Sequence, residues 1–388
     1  MKLLNSIDGL EVICTMIEIV KASQQLIKES NMRLVFRLIH KYGTISRADI
    51  KKITRLSATT VSSLVEELIS NGLVNECGIK DSPTSGRKAV LLQVNSDGGY
   101  FLGVDVQKNQ IVADVYGLDF VQAFHVAVPV VSGDNLAMRI MNAIGIATRN
   151  RRILGIAIGV PGVIDPESNM LVSSTILHTE DAVDIYKTVC DAMPETKVYL
   201  KNNSGLVAYA EKEFGTHGLS NNLVSIDIDD GVGAGILIDG AIYNGGGMAG
   251  EFGHITVDYN GKRCQCGNYG CLELIASLPA ILERTGCNSI EQLRDKLDNG
   301  DEKMNDIVDD VARALAFGVN NIVNLIDPES IVIGGSIRTL GAYLLTPLKN
   351  YFEKISLIKN KTIEYSVLEC NPVTIGGARF AFDGMFGA

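Results

Sequence analysis

One histidine and three cysteines, His254, Cys264, Cys266 and Cys271, stand in a single short stretch, the cysteines spaced C-x-C-x4-C. One imidazole and three thiolates complete a tetrahedral shell for Zn²⁺ and leave no open position for a reactive water. A structural Zn²⁺ is therefore the expected cofactor, with Gly261, Gly267 and Gly270 letting the backbone fold around the ion. The other cysteines (Cys14, Cys77, Cys190, Cys287, Cys370) are scattered and no secretory signal precedes them, so reduced thiols and a cytoplasmic location are expected.

The elements that must hold this loop belong to a chain of 388 residues, long enough for two or three domains. It is 46% apolar with 39 glycines and no tryptophan, a globular balance. No apolar run reaches the ~18 residues that a membrane span needs, so no membrane partner is expected. The net charge of −10 divides unevenly: residues 21–95 carry +6 and residues 96–388 carry −14. A basic module on an acidic body suits a polyanion touched by the first part alone.

Residues 1–22 lack caps and a clean period and read as an extension, either an amphipathic helix or a frayed tail. From residue 23 to 95 the pattern is that of a winged helix-turn-helix. Met32, Leu34, Val35, Leu38 and Ile39 make one helix ending at Tyr42-Gly43, and Ser46 caps a second over 47–54. Ser57 caps a third, with Val61, Leu64, Val65, Leu68 and Ile69 on its apolar face. Its polar side presents Thr59, Thr60, Ser62 and Ser63, short hydroxyls that let a backbone approach a major groove. Residues 73–76 and 88–94 read as strands around a wing whose Arg87 and Lys88 would reach phosphate or the minor groove. Arg47 and Ser57, at the starts of the second and third helices, complete the expected DNA-contacting set.

Beyond residue 96 the pattern changes to three strands followed by alternating helices and strands, and this series occurs twice. An α/β body of two lobes, about 96–210 and 211–388, is expected around a cleft. Helices are expected near 136–149, 184–193, 281–299 and 305–326.

Glu251, Gly253 and His254 in the order E-x-G-H, followed by C-x-C-G-x-x-G-C-x-E from Cys264 to Glu273, resemble the signature of the ROK family of sugar kinases and sugar-responsive repressors. The stretch 46–74 likewise resembles the helix-turn-helix of ROK repressors, a module that the family's kinases lack. The resemblance implies an actin-like fold and a sugar pocket beside the metal loop. It also implies that Glu251, His254 and Glu273 bind sugar hydroxyls, His254 giving one ring nitrogen to the ion and the other to the sugar. Gly162, in a G-x-P-G turn, would lie next to the sugar.

Three departures argue against catalysis. The family's first phosphate turn, D-x-G-x-T, is matched here by Asp105-Val106-Gln107-Lys108-Asn109, without its glycine or threonine. The second, G-T-G-x-G-x-G, is matched by Asp229-Asp230-Gly231-Val232-Gly233-Ala234-Gly235, which puts two carboxylates where phosphate would approach. Where the family's N-D-A carries the general base, this chain has Asn202-Asn203-Ser204. An amide accepts no proton near neutral pH, although it hydrogen-bonds a hydroxyl well. Asn202 and Asn203 are expected to recognise sugar without activating it.

The resulting expectation is a sugar-responsive repressor of the xylose-repressor type, acting as a homodimer on operator DNA with a catalytically silent body. The alternative is a sugar kinase that also binds DNA.

Overall fold

The computed structural model describes residues 5–80, 89–130, 135–174, 176–177 and 182–387, with side chains from residue 24 onward except that of Lys80. Contacts divide the chain into two compact units. The first comprises residues up to 100 with 117–121 and 382 onward; the second comprises 101–116 and 122–381.

In the first unit, α1 runs from Asn5–Tyr42, so the segment 5–22 is backbone-continuous with the first expected helix. β1 (Ile45–Ser46) leads into α2 (Arg47–Thr54), and α3 (Ala58–Ser70) follows, then β2 (Val74–Lys80) and β3 (Ala89–Val94). The caps expected from sequence are made: Ser46 Oγ accepts from Asp49 N at 3.2 Å and Ser57 Oγ from Thr60 N at 3.0 Å. Each such cap contributes about 1 kcal/mol to its helix. The turn between α2 and α3 is made by Arg55, whose φ of 60° places a non-glycine residue in the left-handed region. Strands pair in the order β1-β3-β2, and Val35, Phe36, Ile39, Ile50, Val61, Leu64, Val65, Leu68 and Leu92 form the buried centre. The unit is completed by distant pieces of chain that the expected boundary at 95 did not include: Phe36 lies 4.2 Å from Phe386 between ring centroids, and Phe120 5.2 Å from Phe382.

The second unit opens with β4 (Tyr100–Val106), β5 (Gln110–Tyr116) and β6 (Gln122–Pro129), then α4 (Leu136–Thr148) and β7 (Ile153–Val160). A short hairpin, β8 (Val163–Ile164) with β9 (Leu171–Ser173), precedes α5 (Ile185–Ala192), β10 (Lys197–Asn202) and α6 (Asn203–Phe214). The second series is β11 (Leu223–Ile228), β12 (Val232–Ile238) and β13 (Ala241–Ile242), followed after the cysteine loop by α7 (Glu273–Ala276), α8 (Leu278–Thr285), α9 (Ile290–Asp298) and α10 (Glu302–Ile326). β14 (Ser330–Gly334), α11 (Ala342–Ile355), β15 (Thr362–Tyr365) and α12 (Pro372–Phe386) end the chain. The single helix expected over 281–299 is two, because Gly286 turns left-handed at φ 63° and Ser289 caps a new start.

The first sheet has the strand order β10-β7-β4-β5-β6 and the second β13-β12-β11-β14-β15. Counted within its own lobe, each therefore reads 3-2-1-4-5 from one edge, the duplication anticipated from the repeated pattern. The lobes are not consecutive halves of the chain as expected. α12 returns to the first sheet, where Thr374 Oγ1 donates to Asp114 Oδ2 at 2.6 Å and Asn371 Nδ2 to Asp105 Oδ2 at 2.9 Å. α6 packs on β12 at Gly235, where an added Cβ would come within 1.9 Å of the Ser204 carbonyl oxygen.

Candidate functional site

The cysteine loop is held by backbone before any ion is considered. Gly270 N–H donates to Lys262 O and Cys264 N–H to Asn268 O. Gly270 has φ 63°, and a Cβ there would lie 1.6 Å from Asp258 O, so only glycine lets the loop close. The four donor atoms of His254, Cys264, Cys266 and Cys271 all lie within 4.8 Å of one another. Cys266 Sγ is 3.7 Å from Cys271 Sγ, and Cys264 Sγ is 3.7 Å from His254 Nδ1. Thiolates each about 2.3 Å from a tetrahedral centre stand about 3.8 Å apart, so the set fits one small ion. Burial pushes the Cys271 thiol up to about 12, so a metal arriving there must displace protons.

With Nδ1 turned to the cysteines, Nε2 of His254 faces the other way, 4.0 Å from Glu251 Oε2. Both line a cavity of about 870 Å³ in the second unit, together with Gly162, Asn202, Asn203 and Glu273. Every residue expected to touch sugar is thus brought to one space. Their side chains are not equally available. Asn202 donates from Nδ2 to Gly162 O at 2.9 Å and accepts at Oδ1 from Ser204 N, which makes it the N-cap of α6. Asn203 Oδ1 also accepts from Ser204 N, at 3.1 Å. Glu273 Oε2 accepts from Val232 N at 3.3 Å. Burial raises the Glu251 carboxyl above the usual range, an effect that the adjacent His254 only partly offsets.

The rest of the cavity lining is acidic. Asp105 is 4% exposed and accepts from Gln107 Nε2 at 2.5 Å and from Asn371 Nδ2. Burial, with weaker repulsion from Asp229 and Asp105, pushes Asp227 up to about 7. Burial also raises Asp105 and Glu211. Asp229 Oδ1 accepts from Ser336 N at 2.8 Å and from Ser336 Oγ. Arg338, the guanidinium in this part of the lining, donates to three carbonyls, of Gly335, Ser366 and Leu368. Two of these features escaped the sequence reading: the Asp229–Ser336 contact, which joins residues far apart in the chain, and Asp227, an acid within the apolar strand β11.

In the first unit, Ser57, Thr59 and Ser63 are exposed on or beside α3, with Thr60 and Ser62 half-buried. Ser57 Oγ lies 2.8 Å from both Thr59 Oγ1 and Thr60 Oγ1, so these hydroxyls form one cluster at the helix start. Arg47 pairs with Glu76 on β2 at 2.9 Å. Arg87 and Lys88 lie outside the described residues. Lys51, Lys52 and Arg55 are exposed beside the start of α3, a basic group visible in the sequence only as part of the charge total.

Two sheets of one strand order around a deep cleft, with a loop of one histidine and three cysteines on one wall, define a body of the actin-like sugar-kinase type. The chain belongs to the ROK family, which residues 102–378 match. It is 31% identical to the xylose repressor of Caldicellulosiruptor bescii over 381 residues, covering 90% of this chain and 95% of that one. It is 32% identical to the xylose repressor of Bacillus subtilis over 333 residues, covering 81% and 84%. Among solved structures, a ROK family transcriptional regulator described as a homologue of the Escherichia coli Mlc protein superposes with a TM-score of 0.80. The two share 28% identity, and the match covers 93% of this chain and 97% of that chain. Among the described residues, no helix is long and apolar enough to cross a membrane.

Proposed function

We propose that this protein is a sugar-responsive transcriptional repressor of carbohydrate-catabolism genes, with xylose or a close relative as effector. The observation that carries the reading is the cavity: Glu251, His254 and Glu273 are gathered there while an amide, Asn203, stands where a base would be needed. A sugar held there meets hydrogen-bonding groups, and the residue at the family's base position is an amide that takes no proton from it.

In this reading Asn203, Glu251, Glu273 and His254 Nε2 contact hydroxyls. Gly162 and the capping side chain of Asn202 shape the wall. A Zn²⁺ held by His254, Cys264, Cys266 and Cys271 is structural: when bound it locks the imidazole's orientation and supplies no reactive water. The winged helix contacts operator DNA through Ser57, Thr59, Thr60, Ser62 and Ser63 of its third helix, with Arg47, Arg87 and Lys88 toward the backbone. Lys51, Lys52 and Arg55 add phosphate contacts. The protein acts as a homodimer in the cytoplasm, where thiols stay reduced, and a homodimer matches a two-fold operator with half-sites about one helical turn or a multiple apart. Sugar binding in the cavity favours one lobe arrangement and lowers operator affinity.

Fluorescence anisotropy on labelled DNA from upstream of the chain's own and neighbouring genes, titrated with xylose, glucose and fructose, tests the whole reading. Release by one sugar is expected, and Glu251→Ala should abolish that release while DNA binding persists. A folded protein that stays on its operator at saturating concentrations of every sugar would overturn it.

A further inference from the structure

The cavity is roomier than one sugar ring requires, falling in the range of pockets that enclose drug-sized ligands. What fills the rest of it is decided by charge. Asp105, Glu211, Asp227, Asp229 and Asp230 line it, against Lys108 and Arg338. The guanidinium of Arg338 is already committed to three backbone carbonyls. Glu211 is 1% exposed, and its Oε1 has no hydrogen-bond partner among the described residues.

Two backbone donors of the glycine turns are occupied from within. Ser336 N–H follows the Gly334-Gly335 turn, the kind of loop amide that binds phosphate oxygen, and the Asp229 carboxylate accepts from both that N–H and the Ser336 hydroxyl. Val232 N–H, in the other glycine turn, is taken by Glu273. An incoming phosphate would have to displace these carboxylates and would then sit beside them and Asp230. In a partly dehydrated cleft such like-charge repulsion is much stronger than in water.

We infer that the effector is a free, uncharged carbohydrate, that sugar phosphates and nucleotides are rejected, and that Asp229 enforces the choice as an internal stand-in for the anion. The inference rests on the sugar-effector reading and deepens it.

Isothermal titration of the full-length chain at a pH of about 7.5, above the raised carboxyl of Asp227, compares xylose with xylose 5-phosphate, glucose with glucose 6-phosphate, and Mg-ADP. The free form of whichever sugar binds should do so at least about 30-fold more tightly than its phosphate, with no heat from Mg-ADP. Asp229→Asn should narrow that ratio at least about fivefold or admit Mg-ADP. Asp230→Asn, at an exposed position, should narrow it about two- to threefold. A phosphorylated sugar that binds as tightly as its free form overturns this inference and leaves the effector reading standing. Binding of neither form overturns both. Asp229→Asn that melts like the parent yet discriminates as sharply shows that Asp229 is not the determinant.

Discussion

Two parts of one cavity's lining differ in which hydrogen-bonding groups they leave available. At the cysteine loop, groups suited to hydroxyls remain and are backed by a rigid scaffold: Nδ1 of His254 faces three thiols and Nε2 faces Glu251. At the glycine turns two backbone amides are taken by the chain's own carboxylates. Recognition needs only donors and acceptors in place, whereas phosphoryl transfer needs a base and charge stabilisation around the phosphates as well. In the proposed reading this chain keeps the first without the second and acts as a receptor.

The comparison breaks most sharply at the loop. Cys271→Ser removes a buried thiol from the donor set, and the expected result is loss of stoichiometric zinc by elemental analysis together with at least about tenfold weaker sugar binding by calorimetry. Groups that orient a side chain through a metal site are worth about 10–100-fold in comparable proteins. If sugar affinity survives in zinc-free protein, the loop does not position His254.

Asn203→Asp probes the same boundary with a smaller effect. It restores a carboxylate at the base position while both phosphate turns stay blocked, so sugar affinity should change by less than about tenfold and no ATP-dependent phosphorylation should appear in a coupled assay. Measurable turnover would mean that the acidic lining tolerates nucleotide after all.

The smallest effect concerns Asp227. Its carboxyl is raised from 3.8 to about 7 in the folded chain, so the folded state keeps a proton that the unfolded state releases. The contribution to stability is therefore full below a pH of about 4 and lost as the pH rises through about 7. Asp227→Asn should raise the melting temperature at a pH of about 8, by ~2–4 °C per kcal/mol recovered, and flatten the pH dependence between about pH 5 and 8. Thermal melts across that range check it, and an unchanged slope would show that Asp227 is well solvated in the cleft.

The parts of this architecture legible in the sequence are those set by local chemistry. Ser46 and Ser57 announce their helices because an N-cap acts on an amide three residues ahead. The metal-binding set is recognisable because four donors share one loop. The lobe boundary was misplaced because α12 reaches the first sheet through Asn371 and Thr374, contacts spanning most of the chain. The same limit hid the pairing of Asp229 with Ser336. Sequence showed acids where phosphate would approach, but not that one of them holds the opposite turn. Arg47 was expected to contact DNA, and its pairing with Glu76 on β2 could not be read from the sequence.

The aromatic cluster of the first unit has a consequence for how the protein is made. Phe36 and His40 belong to the first helix, yet the rings they meet, Phe382 and Phe386, lie within the last few residues of the chain. On the ribosome the reading head therefore emerges long before the side chains that finish its core. A chain released early would carry the helix-turn-helix without those ring contacts.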